Sequence, residues 1–142
     1  MTDPINALDH QTEVAESEAL WTGRFMLFLR IMAGVSLAKG LYHWAMVIGV
    51  GQGTFSAFEV NSTAWQAATV YFAVIDLVAA VGLWLAAAWG GVVWLTATIS
   101  MAAIELLFPQ VYGGRIVVIV AEVAMLGVYF ALAVKAAGER PD

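Results

Sequence analysis

From Trp21 onward the chain consists of four long apolar runs separated by short clusters of Gly, Pro and polar residues. About 20 apolar residues are what an α-helix needs to cross a hydrocarbon core. Only helices and closed barrels can cross, because a backbone N–H or C=O finds no water there. Composition agrees: 62% of the 142 residues are hydrophobic and 12% charged, whereas a soluble domain is nearer half apolar and about a quarter charged. The expected fold is all-α: an integral membrane four-helix bundle built from two helical hairpins, with both termini on the same side and the lipid bilayer as its first partner.

Residues 1–20 are polar and carry five of the eleven acids. They read as an acidic tail, partly helical or disordered, in which Asp3-Pro4 suits the start of a short helix. The tail has no Lys or Arg, which a cleaved signal needs ahead of its apolar core, so the first apolar run is expected to stay in the mature protein. The transmembrane domain is expected over 21–136, with crossings at about 21–50, 64–89, 92–108 and 115–136, followed by a C-terminal tail at 137–142. Between the first two crossings, Phe55 and Phe58 suit a loop that dips into the interface. Ala88-Trp89-Gly90-Gly91 is the only punctuation between the second and third. A continuous helix over 64–108 would be ~68 Å long, so a tight hairpin is predicted at Gly90-Gly91. Pro109 and Gly113-Gly114 close the third crossing.

Trp21, Trp65, Trp89 and Tyr112 fall near segment ends, where aromatic rings favour the membrane interface. Trp44, Tyr71, Trp84, Trp94 and Tyr129 fall deeper and read first as packing residues, with the lining of a pocket as the alternative. Arg24, Arg30, Lys135 and Arg140 share one side of a four-crossing topology, and Arg115 alone marks the other. Basic residues concentrate on the cytoplasmic side, which predicts cytoplasmic N- and C-termini. Gly34 and Ala38 form a small-xxx-small pair that permits close helix approach.

There is no cysteine, which excludes thiol catalysis, disulfides and thiolate metal sites. The scattered basic residues form no patch for nucleic acid. No nucleophile elbow, metalloprotease helix, phosphate loop or dinucleotide fingerprint is present, and the chain is read as a non-enzyme.

The chemistry left lies in five ionisable residues inside the apolar runs: Lys39, His43, Asp76, Glu105 and Glu122. Each charge near the bilayer centre costs roughly 2.5–3.5 kcal/mol on insertion scales, so such groups turn inward and find partners. Lys39 and His43, four apart, share a helix face. A Lys39–Asp76 ion pair with His43 alongside is the most economical arrangement. Glu105 and Glu122 fall at similar depth near the outer end, where two facing carboxyls would share a proton. The bland interpretation is an intramembrane polar network that fastens the helices. The sharper one is a proton path with an inner station at Lys39, His43 and Asp76 and an outer one at Glu105 and Glu122. No cofactor or metal is expected. A membrane haem normally takes two axial ligands and His10 lies in the tail, although a His-plus-carboxylate metal site stays open for His43.

The stretch from Arg30 through Gly34, Lys39 and Gly40 to His43-Trp44 resembles the first helix of DoxX-like small membrane proteins, which implies a four-helix fold. Gly40-Leu-Tyr-His43-Trp44 and Phe72-Ala-Val-Ile-Asp76-Leu-Val-Ala-Ala-Val-Gly82-Leu-Trp84 resemble an uncharacterised family of small alphaproteobacterial inner-membrane proteins. That resemblance implies the same fold and a bacterial inner membrane, and no activity. The function expected is an accessory or interaction subunit of a membrane complex, acting through other membrane subunits or self-association. A small proton-coupled transporter or channel, or a quinone- or haem-associated redox subunit, are the alternatives.

Overall fold

The computed structural model describes residues 4–51 and 57–139. Asp3 ahead of Pro4, Phe55 in the first loop, and Arg140 lie outside them. Among the described residues six helices follow in order: α1 (Pro4–Val47), α2 (Ala57–Val60), α3 (Thr63–Trp84), α4 (Ala88–Leu107), α5 (Pro109–Tyr112) and α6 (Ile116–Gly138). No strand occurs among the described residues. Four helices, α1, α3, α4 and α6, are long and apolar enough to cross a membrane. Their contacts close a ring: α1 packs on α3 and α6, and α4 packs on α3 and α6, with α1–α3 the most extensive pair.

Where the sequence suggested a separate tail, α1 begins at Pro4 and continues for 44 residues. Its length, ~66 Å, is about twice a hydrocarbon core. The reason is local. Between Pro4 and Gly23 no proline or glycine interrupts a run rich in Ala, Glu and Leu, all good helix formers. Part way along, the Trp21 and Thr22 amides donate to the Glu139 carboxylate at 3.1 and 2.9 Å, and the Thr22 hydroxyl also donates to it at 2.9 Å. Glu139 thus ties the end of α6 to the middle of α1 through two backbone amides and one hydroxyl. Lys135 lies 3.9 Å from the centre of the Trp21 ring and the Arg24 guanidinium 4.8 Å from it. These contacts bind the far end of α6 to this point of α1.

The turn between the second and third crossings is not at Gly90-Gly91 but at 85–87. The Ala87 amide closes back on the Gly82 carbonyl and that of Ala86 on Leu83, at 3.0 Å each. Ala86 supplies the left-handed residue with φ 51°. The two glycines are spent on packing instead. A Cβ on Gly90 would lie 2.1 Å from the Gly82 carbonyl carbon, and one on Gly82 2.4 Å from the Gly90 Cα. α3 and α4 touch backbone to backbone there, a contact closed to any side chain. With α3 ending at Trp84, that ring is not deep. It is 56% exposed and stacks under the Arg30 guanidinium at 4.7 Å. Replacing Ala86 with glycine removes the penalty of a Cβ in the left-handed region, about 1 kcal/mol. Ala86→Gly is therefore expected to raise the midpoint of thermal unfolding in detergent, and an unchanged or lower midpoint would contradict this account of the turn.

Gly34 and Ala38 face outward, and nothing approaches the open side of Gly34. The close approach of α1 occurs at Gly40, where a Cβ would meet the Leu77 side chain at 2.8 Å and its backbone nitrogen at 3.2 Å. Two apolar clusters flank this level. One gathers Leu29, Met32, Ala33, Ala79, Leu83 and Trp94, and the other Ala68, Phe72 and Met101. On α3, Asp76 falls between them.

Candidate functional site

Because Gly40 lets α1 lie close on α3 beside Leu77, the neighbouring residues Lys39 and Asp76 come within reach of each other. The Lys39 ammonium is 3.7 Å from Asp76 Oδ1 and 3.5 Å from Glu122 Oε1. His43 Nδ1 is 3.9 Å from Asp76 Oδ2. It is also 2.9 Å from the Lys39 carbonyl oxygen. A carbonyl only accepts, so Nδ1 carries the hydrogen and donates it to the turn below. One ammonium therefore stands between two carboxyls from different helices, with a histidine at the side.

Burial makes this arrangement costly to disturb. The side chains of Asp76, Glu122 and His43 are 1%, 4% and 6% exposed, against 31% for Lys39. Asp76 Oδ2 and Glu122 Oε2 are buried without a hydrogen-bond partner among the described residues. Glu122 and Ala136 are the buried residues of α6, so this helix sends one charged group inward and little else.

Glu105 does something different. Its Oε2 accepts the Arg115 amide hydrogen at 2.8 Å, and its Oε1 lies 4.0 Å from Arg115 Nε. It thus secures the start of α6 with a buried carboxylate, while the Arg115 side chain is 66% exposed. The expected inner group of Lys39, His43 and Asp76 comes together. The expected outer pair does not form as such, because Glu122 turns to Lys39 and Glu105 to Arg115. An ammonium and an unsatisfied helix start are better partners for a carboxyl than another carboxyl.

Tyr112, read from the sequence as an interface anchor, stands beside the site. Its ring centre is 6.4 Å from that of His43 and 6.3 Å from that of Phe72, and its hydroxyl meets the buried Thr69 hydroxyl at 3.2 Å. Burial pushes the phenol above its ordinary range, so it remains an O–H. The clue in the sequence was Pro109, which ends one helix and opens the four-residue α5 that carries Tyr112 inward. A cavity of about 60 Å³ is lined by His43, Glu105, Tyr112 and Arg115 together with Tyr42, Met46, Met101 and Val118. It has room for at least one water molecule and polar groups to hold it. Among the described residues, no three His, Asp or Glu side chains are placed to hold a metal ion.

A family model described as a family of unknown function (DUF6163) matches residues 23–140. The chain belongs to this family. All five ionisable residues singled out in the apolar runs, the Gly82–Gly90 contact and Tyr112 lie inside the matched span, as does Glu139. The helical stretch before residue 23 lies outside it. No curated protein and no solved structure matches the chain.

Proposed function

We propose that this DUF6163 protein is a polytopic protein of the bacterial inner membrane, with cytoplasmic termini and a four-helix bundle. It serves there as a non-enzymatic accessory or interaction subunit. The observation that carries this is the outward face of α6. Of its 23 residues it buries Glu122 and Ala136, whereas the 22-residue α3 buries nine. Val117, Val120, Val123 and Val134 are all more than half exposed. In lipid no hydrophobic force presses one apolar helix on another. A helix anchored mainly at Glu122, Tyr129 and its two ends has a long side free for another subunit or a second copy. The segregation of Arg24, Arg30 and Lys135 from Arg115 supports the orientation.

The lack of native cysteine makes both points readable with single-cysteine variants. Val120→Cys carrying a photo-crosslinker is expected to give an adduct in native membranes. Thr12→Cys is expected to react with membrane-impermeant thiol reagents only after the cytoplasmic side is opened. A protein that yields no adduct and purifies in mild detergent as a solitary monomer would refute the interaction role. Labelling of Thr12→Cys in intact cells would reverse the orientation.

A second reading, proton-coupled transport or conduction, is favoured by the convergence of Lys39, His43, Asp76 and Glu122 on one point. Interhelical polar contacts in membranes average only about 0.6 kcal/mol. Fastening alone is a modest return for burying three ionisable groups almost completely.

A further inference from the structure

We propose that Lys39, Asp76 and Glu122 form a site for a single exchangeable proton, held between the two carboxyls and reached from the Glu105–Arg115 end through the small cavity that His43 lines. This deepens the proton-coupled reading by naming its ligand and its entrance, and it stands apart from lateral association.

Charge counting is the first support. One ammonium lies within 4 Å of two carboxyls, both almost fully buried. Two carboxylates would leave an uncompensated negative charge in an apolar interior, which is far costlier than a neutral cluster. One added proton gives one ammonium, one carboxylate and one carboxylic acid. His43 is an unfavourable seat for that proton. Its Nδ1 hydrogen is already donated to the Lys39 carbonyl, and a second hydrogen would set an imidazolium next to the Lys39 ammonium.

The two unpartnered oxygens are the second support. Asp76 Oδ2 and Glu122 Oε2 each lack a hydrogen-bond partner among the described residues. A carboxyl that carries the proton becomes a donor as well as an acceptor, which the site otherwise lacks apart from the ammonium and the imidazole. The ammonium already stands where a metal ion would have to sit between the acids, so the ligand is a proton and not a metal ion. The groups facing the site are Lys39 and His43 from α1, Asp76 from α3, Glu105 from α4, Tyr112 from α5 and Glu122 from α6. Glu105 is engaged by Arg115.

The entrance is the third. The cavity of about 60 Å³ is lined by both His43 and the exposed Arg115, and by Glu105 and Tyr112. A water there connects solvent at the start of α6 with the histidine, whose ring lies beside Asp76. The proton arrives from water and returns to it, and the only bonds made or broken are O–H and N–H bonds.

Infrared difference spectroscopy on the purified full chain in lipid nanodiscs tests this. Wild type at neutral pH is expected to show the C=O stretch of one protonated carboxyl. That band should vanish in Asp76→Asn and in Glu122→Gln alike, since either change leaves one ammonium with one carboxylate. Lys39→Met should double it. Val118→Trp, which fills the cavity, should slow exchange of the band into heavy water several-fold without changing its intensity. Should the amide variants fail to fold, wild type labelled with ¹³C-aspartate or ¹³C-glutamate gives the answer directly. A wild-type spectrum without the band, a band that survives both amide substitutions, or a band that moves with neither label overturns the proposal. Proton flux in liposomes is measured in parallel. A band without flux retains the site and eliminates transport.

Discussion

Gly90→Leu is expected to destroy the α3–α4 hairpin. The added Cβ would fall 2.1 Å from the Gly82 carbonyl carbon and 2.5 Å from its Cα. The obstacle is backbone, so no side chain can rotate out of the way, and the two helices must part along their shared length. Overpacking a close-fitting interior costs about 1–3 kcal/mol and sometimes more. A clash with main chain belongs at the upper end, about 3 kcal/mol or above. The readout is thermal unfolding in detergent followed by tryptophan emission, to which Trp94 in the core and Trp89 against Gly82 both contribute. Gly127→Ala is the matched control. It too replaces a helical glycine, but nothing lies within 4 Å of the added Cβ. It should therefore stabilise by about 0.5–1 kcal/mol through helix propensity. Equal effects from the two changes would mean that Gly82 and Gly90 are not in contact.

Lys39→Met is expected to cost about 3–5 kcal/mol, the usual penalty when a buried charge loses its partner, met here by forcing the remaining carboxylate to take up a proton. The loss falls on Asp76 and Glu122, since the lysine is itself about one-third exposed and the two carboxyls are nearly inaccessible. Adding Asp76→Asn and Glu122→Gln to Lys39→Met should recover most of it, because three neutral groups of similar volume make no such demand. A triple variant as unstable as the sum of the single changes would show that the three side chains do not act as a unit.

Much of the architecture was legible beforehand. Four apolar runs gave four long helices, and the polar turn residues between them marked their ends to within a few positions. Three features of the fold depart from that pattern, each for a local physical reason. The tail joined α1, because no breaker separates it from the first crossing. The hairpin turned at 85–87, because Ala86 accepted a left-handed backbone and freed Gly90 for contact. The small-residue approach of α1 moved from Gly34 and Ala38 to Gly40, which is the glycine that faces α3.

The five ionisable residues of the candidate site were visible one by one, because a charge in an apolar run is conspicuous. Their partnerships were not. Lys39, His43 and Asp76 assemble as expected from helical spacing and depth, whereas Glu122 joins Lys39 and Glu105 secures the start of α6. Tyr112 and the cavity it lines came from a four-residue helix that leaves little trace in periodicity.

The sequence by itself determined that lipid is the solvent, that the backbone must satisfy itself in helices, and that each charge within the runs needs company. These follow from the free energy of moving single residues out of water. Only the tertiary structure decided which charge keeps which company and which glycine meets which backbone. A helix that is apolar all round carries no stripe to fix its rotation. Its facing direction is set by contacts with residues far away along the chain, and those exist only once all four helices are in place.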